Sequence, residues 1–235
     1  MNRIKLGDIL LLNGQGKTAS CNRLAQSITG GNANYTHVAL CIHDNLAIHA
    51  MPSKGVEPIL IEELFKGYSD WMAIRNTYVS NRADNEFSEM LLRATKDLEK
   101  PYALKSVLSS KHFDGSAVCS NYIASFLLHY GVNVSATVNS AIPLDFQDAL
   151  TNGDWENVTQ QHRDYYASFG YDTDMALCTL EMIKMNRVDA NLISSAHNAV
   201  DKLCDVLQPV NQFSSPEALR TPKPKFGYWD TDNDK

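Results

Sequence analysis

Ile9 to Leu12 is an apolar run set between Gly7-Asp8 and Asn13-Gly14, the pattern of a buried strand closed by a turn. From His37 the chain alternates, with Val38, Leu40 and Ile42 on one face and His37, Ala39 and Cys41 on the other. A loop of His43, Asp44 and Asn45, the last suited to a left-handed conformation, leads into a second alternating run. There Leu46, Ile48 and Ala50 form the core face, while Ala47 and His49 point away from it. This hairpin register sets Ala39 opposite His49 and leaves His37 diagonal to His49 on the same face, with Cβ atoms about 7 Å apart or less. Val56 to Ile61, broken by Pro58, predicts an edge strand, and Trp71 to Val79 predicts another strand.

Elsewhere the spacing is helical. Thr18 to Thr29 carries Leu24, Ala25 and Ile28 on one face and stops at Gly30-Gly31. Phe87, Met90, Leu91, Ala94 and Leu98 recur at helical spacing until Pro101. Asp114, Gly115 and Ser116 offer caps for a helix with Val118, Tyr122, Ile123, Phe126 and Leu127 on its apolar side; Cys119 falls in its first turn and Gly131 ends it. Beyond Pro143 the pattern is helical, with Leu192, Ala196, Ala199, Val200, Leu203 and Leu207 in one stripe. From Ser214, Pro216, Pro222 and Pro224 mark a loose tail. The sum is an α+β fold in which a small antiparallel sheet packs on the helix bearing Cys119, with a C-terminal helical extension.

Composition narrows the function. The 235 residues, 44% hydrophobic, suffice for one full core. Lys and Arg total 21 against 27 Asp and Glu, a net charge of −6, and form no basic block, so no nucleic acid partner is expected. No apolar run approaches the roughly 20 residues of a membrane span, and stable membrane insertion is not expected. Gly7 and Asp8 interrupt the N-terminal apolar stretch before a signal-peptide core could form, so synthesis in the cytoplasm without an export signal is expected. Five cysteines without CxxC spacing fit reduced thiols. Gly14-Gln15-Gly16-Lys17-Thr18 sits where a phosphate-binding loop would lie, but Leu11 stands where that loop needs glycine.

Two histidines on one sheet face are candidates for metal ligands or for a base with its orienting partner. A metal site needs a third ligand, and the nearby Asp44 is at the far end of the hairpin. A base needs a nucleophile, and Cys119 is the natural one, because the positive end of a helix stabilises thiolate. Cys21 is its rival near another helix start. Cys41 lies in a strand, and Cys178 and Cys204 fall in apolar stripes that read as packing. Asp8 reads as a turn or capping residue. Tyr35 and Tyr122 are weak candidates for substrate contact, core packing being the stronger reading of Tyr122.

The segments GDILLL, YTHVAL and AIHAM resemble the Gly-Asp strand, His strand and His-Ala strand of the NlpC-type papain-like cell-wall peptidases, whose active-site histidines share the twelve-residue spacing. AVCSNYIASFLLHYG lies after these segments, whereas the nucleophile precedes them in ordinary members. This order resembles the circularly permuted branch, which includes the YiiX-like amidases and the lecithin:retinol acyltransferase-like enzymes, and it favours Cys119 over Cys21. The resemblance covers about residues 5 to 150. It implies a papain-like catalytic domain over 1–150, followed by a helical extension over 151–213 and a tail over 214–235. It also implies a cysteine peptidase or amidase with Cys119 as nucleophile, His37 as base and His49 as orienting residue, with no metal or other cofactor. The implied substrate is an amide of peptidoglycan stem peptides. Some permuted members have Glu where His49 stands. The lipid acyltransferases usually have Asn where this chain has Val118, which weighs against the alternative of a lipid acyl hydrolase or transferase; a cytoplasmic amidase is the other alternative. A catalytic domain without an export signal, followed by a helical addition, resembles type VI secretion effectors. That implies antibacterial action in a target cell's periplasm, with a secretion-machinery component and a cognate immunity protein as partners.

Overall fold

A computed structural model describes residues 4–15, 33–52, 54–102 and 119–185, and the single positions 195, 198, 199 and 202. The helix expected over 18–29 with Cys21, the Gly16-Lys17-Thr18 turn, the caps at 114–116 with Val118, Cys204, most of the 192–207 stripe and the tail lie outside the described residues. The chain divides into two compact units, Met1–Ile183 and Lys184–Lys235. In the second, the described positions 195, 198, 199 and 202 are helical.

The first unit is α+β, built on one six-stranded sheet: β1 (Ile9–Asn13), β2 (His37–His43), β3 (Leu46–Met51), β4 (Gly55–Leu60), β5 (Asp70–Asn76) and β6 (Trp155–Asn157). The spatial order is β4-β3-β2-β1-β5-β6, and every neighbouring pair is antiparallel. Its helices include α1 (Ile61–Lys66), α2 (Thr77–Ala83), α3 (Phe87–Thr95), α4 (Cys119–His129), α5 (Pro143–Asp148) and α6 (Thr159–Phe169). β1 is central, which explains its unbroken apolar run: Ile9 and Leu11 enter one core and Leu10 and Leu12 the other. The first core holds Val38, Leu40 and Ile48 with Ile123, Phe126 and Leu127 of α4. The second, on the opposite face, holds Ala39, Cys41 and Ala47 with Ile61 and Leu64 of α1 and Tyr166 of α6.

The hairpin pairs Leu40 with Ile48 and Cys41 with Ala47, the register expected from the sequence. A bulge then brings His43 opposite Leu46, shortening the loop to Asp44 and Asn45. β4 is an edge strand, as Pro58 requires. β5 ends at Asn76 rather than Val79, because the Asn76 side chain accepts the Val79 N–H at 3.1 Å and caps α2. The sheet continues beyond the segment expected to contain it: β6 pairs with Ile74 to Asn76, so residue 150 lies inside the compact unit.

Asp8 is more than a turn residue. It accepts the Lys5 backbone N–H at 3.0 Å, and its fully buried carboxylate takes Arg75 Nε at 2.6 Å and Nη2 at 2.7 Å, with His162 Nε2 at 2.9 Å. This ties α6 to the centre of the sheet. Burial works to raise the Asp8 pKa, but hydrogen bonds and charges from Arg75 and His162 outweigh it and hold the carboxyl below its usual range.

Candidate active site

α4 delivers Cys119 to the sheet because its apolar side, Ile123, Phe126 and Leu127, is buried in the first core. Its opening turn is pinned by the Ser120 hydroxyl, which donates to the Ala141 carbonyl, and by the Tyr122 hydroxyl, which donates to the Ala94 carbonyl. Tyr122 is thus buried, its hydroxyl engaged by a backbone carbonyl. The backbone N–H groups of Val38, Ser120 and Cys119 are directed at the Cys119 thiol, as expected of donors in the first turn of a helix and at the start of a strand. Burial nevertheless dominates and pushes the thiol above its ordinary pKa.

His37 precedes Val38 and stacks on Tyr68, with ring centroids 5.6 Å apart and planes within 4°. The Tyr68 hydroxyl is raised in pKa by burial first and by the Cys119 thiol second, and Tyr102 is raised in the same way. Val38, whose backbone hydrogen-bonds the Cys119 thiol, follows His37 in β2, and Tyr68, whose hydroxyl feels that thiol, stacks on His37. His37 is 7% exposed, and burial depresses its pKa to about 3, with His49 a smaller cause. Its Nε2 lies 3.1 Å from His49 Nδ1, the rings meeting edge to face. The expected diagonal approach of the two imidazoles is what the hairpin builds.

His49 is 3% exposed, and burial lowers its pKa against the opposing pull of Glu57. Its Nε2 stands 3.4 Å from Glu57 Oε1, an ion-pair distance whose alignment falls short of a formed hydrogen bond. Glu57 lies directly opposite His49 in the β3–β4 ladder and also meets Lys54 Nζ at 3.1 Å. Reading residues singly missed Glu57, Tyr68 and Tyr102. Glu57 alone carried a signal, since pairing Val56–Ile61 with the His49 strand sets it across from His49.

Thiol and imidazole are both neutral at pH 7 in this arrangement. With His37 Nε2 engaged by His49, Nδ1 is the nitrogen left to exchange a proton. Tyr35 is half-buried two residues before His37, its hydroxyl raised in pKa by burial and by Asp70 and lowered by Arg163. Cys41 is fully buried, and desolvation, with Asp8 next in weight, pushes its thiol well up, which suits packing. Cys178, expected in a packed stripe, is exposed. Among the described residues no group of three His, Cys, Asp or Glu could hold a metal ion, and no helix is long and apolar enough to cross a membrane.

No family model and no curated protein matches the chain. Among solved structures it is similar to the crystal structure of the metalloprotein YiiX from Escherichia coli O157:H7, with a TM-score of 0.45 and 15% identity over 56% of this chain and 69% of that one.

Proposed function

We propose that this protein is a cysteine hydrolase that cleaves an amide bond in peptidoglycan stem peptides. The observation that carries this reading is the buried His37 Nε2 to His49 Nδ1 contact of 3.1 Å, on the strand whose Val38 N–H is directed at the Cys119 thiol. A lone histidine on a sheet face is an ordinary structural residue, but a histidine paired with a second one, on the strand that packs against the cysteine-bearing helix, offers the parts of a nucleophile, base and orienter. In this mechanism Cys119 Sγ attacks the carbonyl carbon while its proton passes to His37 Nδ1. The C–N bond then breaks, and the same proton goes to the leaving amine. Water hydrolyses the thioester with His37 again as base. In this reading the N–H groups of Cys119 and Ser120 would receive the oxyanion.

The choice of peptidoglycan rests on the sequence resemblance, as does a role as a secreted antibacterial effector acting in a target cell's periplasm. Digestion of purified peptidoglycan, followed by mass spectrometry, tests the substrate: wild type releases muropeptide fragments and Cys119→Ala does not. Free fatty acid or an acyl-enzyme formed from phospholipid, with peptidoglycan left intact, moves the assignment to a lipid acyl enzyme. The site of action is tested by fusing a cleavable export signal, which makes expression lyse a Gram-negative host while cytoplasmic expression is tolerated. The reverse pattern contradicts a periplasmic target.

A further inference from the structure

The line of polar contacts that begins at His37 runs through His49 to a third side chain. The β3–β4 ladder sets His49 opposite Glu57, whose Oε1 is 3.4 Å from His49 Nε2. That nitrogen is buried and forms no hydrogen bond among the described residues, so the carboxylate is the acceptor within its reach. The same oxygen meets Lys54 Nζ at 3.1 Å, so the carboxylate lies between an ammonium and an imidazole. An ionised carboxylate can only accept hydrogen bonds, whereas a neutral imidazole donates from one nitrogen and accepts at the other.

We propose that Glu57 is a positioning residue that fixes the tautomers of both histidines. Glu57 draws the His49 proton to Nε2, which leaves His49 Nδ1 bare. His49 Nδ1 then accepts the His37 Nε2–H, and His37 presents a bare Nδ1. This chain of tautomers follows once Glu57 is the acceptor for His49 Nε2; its purpose, receiving the Cys119 proton, rests on the hydrolase reading above. When the thiol reacts, its S–H bond breaks and an N–H bond forms at His37 Nδ1. The product is a thiolate with an imidazolium still donating through Nε2 to His49. If His49 instead held its proton on Nδ1, His37 would have to leave Nε2 bare and protonate Nδ1, the form that cannot take the proton. Burial of His37 and His49 supports the scheme, because it keeps both rings neutral near pH 7. Among the described residues, the charged and titratable groups that meet the pair are Glu57 at His49, with Lys54 behind it, and Tyr68 stacked on His37.

The test reads tautomers directly, by ¹⁵N-imidazole NMR on the full chain, wild type beside Glu57→Leu and the closer isostere Glu57→Gln. In the wild type, His37 and His49 are both expected to carry their proton on Nε2. In Glu57→Leu both rings become tautomer mixtures, and kcat falls about 10- to 100-fold with KM little changed, the scale typical of losing an outer orienting partner. Glu57→Gln, which keeps the size and hydrogen-bonding capacity but not the charge, gives the answer if the leucine variant fails to fold; its tautomers also become mixed, because the amide can donate as well as accept. A wild-type His37 protonated on Nδ1, or tautomers unchanged in the folded variants, overturns the proposal. A protein that shows the expected tautomers but hydrolyses no amide contradicts the hydrolase reading instead.

Discussion

In the proposed mechanism His37 works through Nδ1, because its Nε2 is taken by His49 at 3.1 Å. The two residues should therefore fail differently. Losing His37 removes the group that carries the proton, whereas losing His49 leaves a base that is merely less well oriented. His37→Ala is expected to lower kcat/KM by at least about 10³-fold and His49→Ala by a smaller factor, about 10- to 100-fold, in variants with wild-type circular dichroism. Equal losses would mean that His49 shares the proton transfer. The pairing of these histidines was legible because strand alternation places both on one face, and a short loop leaves few registers. Glu57 was legible only through strand register, since a lone glutamate on an edge strand ordinarily faces water, and pairing with β3 gives it an imidazole to meet.

At the scale of elements, the geometry of the site depends on how β4 is held against β3. Gly55, which starts β4, has φ +76°, and a Cβ there would collide with the Lys100 carbonyl oxygen. That same carbonyl accepts the Val56 N–H at 2.9 Å, and Glu99 N–H donates to the Val56 carbonyl at 2.8 Å. Gly55→Ala is expected to destabilise the protein by about 1–3 kcal/mol and, by shifting Glu57, to reduce activity without touching a reacting group. Urea denaturation checks it, and a variant within about 0.5 kcal/mol of wild type would contradict the strain argument. β1, the histidine hairpin, β4 and α3 were readable because each has an apolar period matched to its element. The end of β5 was misread because Val79 continues a β-like composition, while the Asn76 cap that starts α2 is a single polar side chain. β6 left little trace, for it is three residues long with only Trp155 buried. The attachment of α6 rests on His162 meeting Asp8 across 154 residues of sequence, which no local pattern reports.

For the molecule as a whole, burying neutral histidines makes stability depend on pH. His37 has its pKa depressed to about 3, against an ordinary value of 6.5, so between these limits the unfolded chain binds a proton that the folded chain does not. Stability is complete above about pH 6.5 and is lost as pH falls toward 3, at up to about 1.4 kcal/mol per unit. His49, lowered for the same reason of burial, adds to the loss with the same sign. Between pH 7.5 and pH 5, His37→Gln should therefore lose about 2 kcal/mol less unfolding free energy than wild type does, measured by urea titration. An identical loss in both proteins would show that His37 takes up its proton in the folded state.

The most direct test of the account is amide hydrolysis by Cys119→Ala beside Cys41→Ala, measured as kcat/KM on peptidoglycan stem peptides with both proteins shown to be folded. Cys119 sits with the N–H groups of Val38, Ser120 and Cys119 directed at its thiol, whereas Cys41 is enclosed in the second core. The account predicts no measurable hydrolysis by Cys119→Ala and activity within a few-fold of wild type, about threefold, in Cys41→Ala. Hydrolysis by Cys119→Ala at a wild-type rate would contradict it.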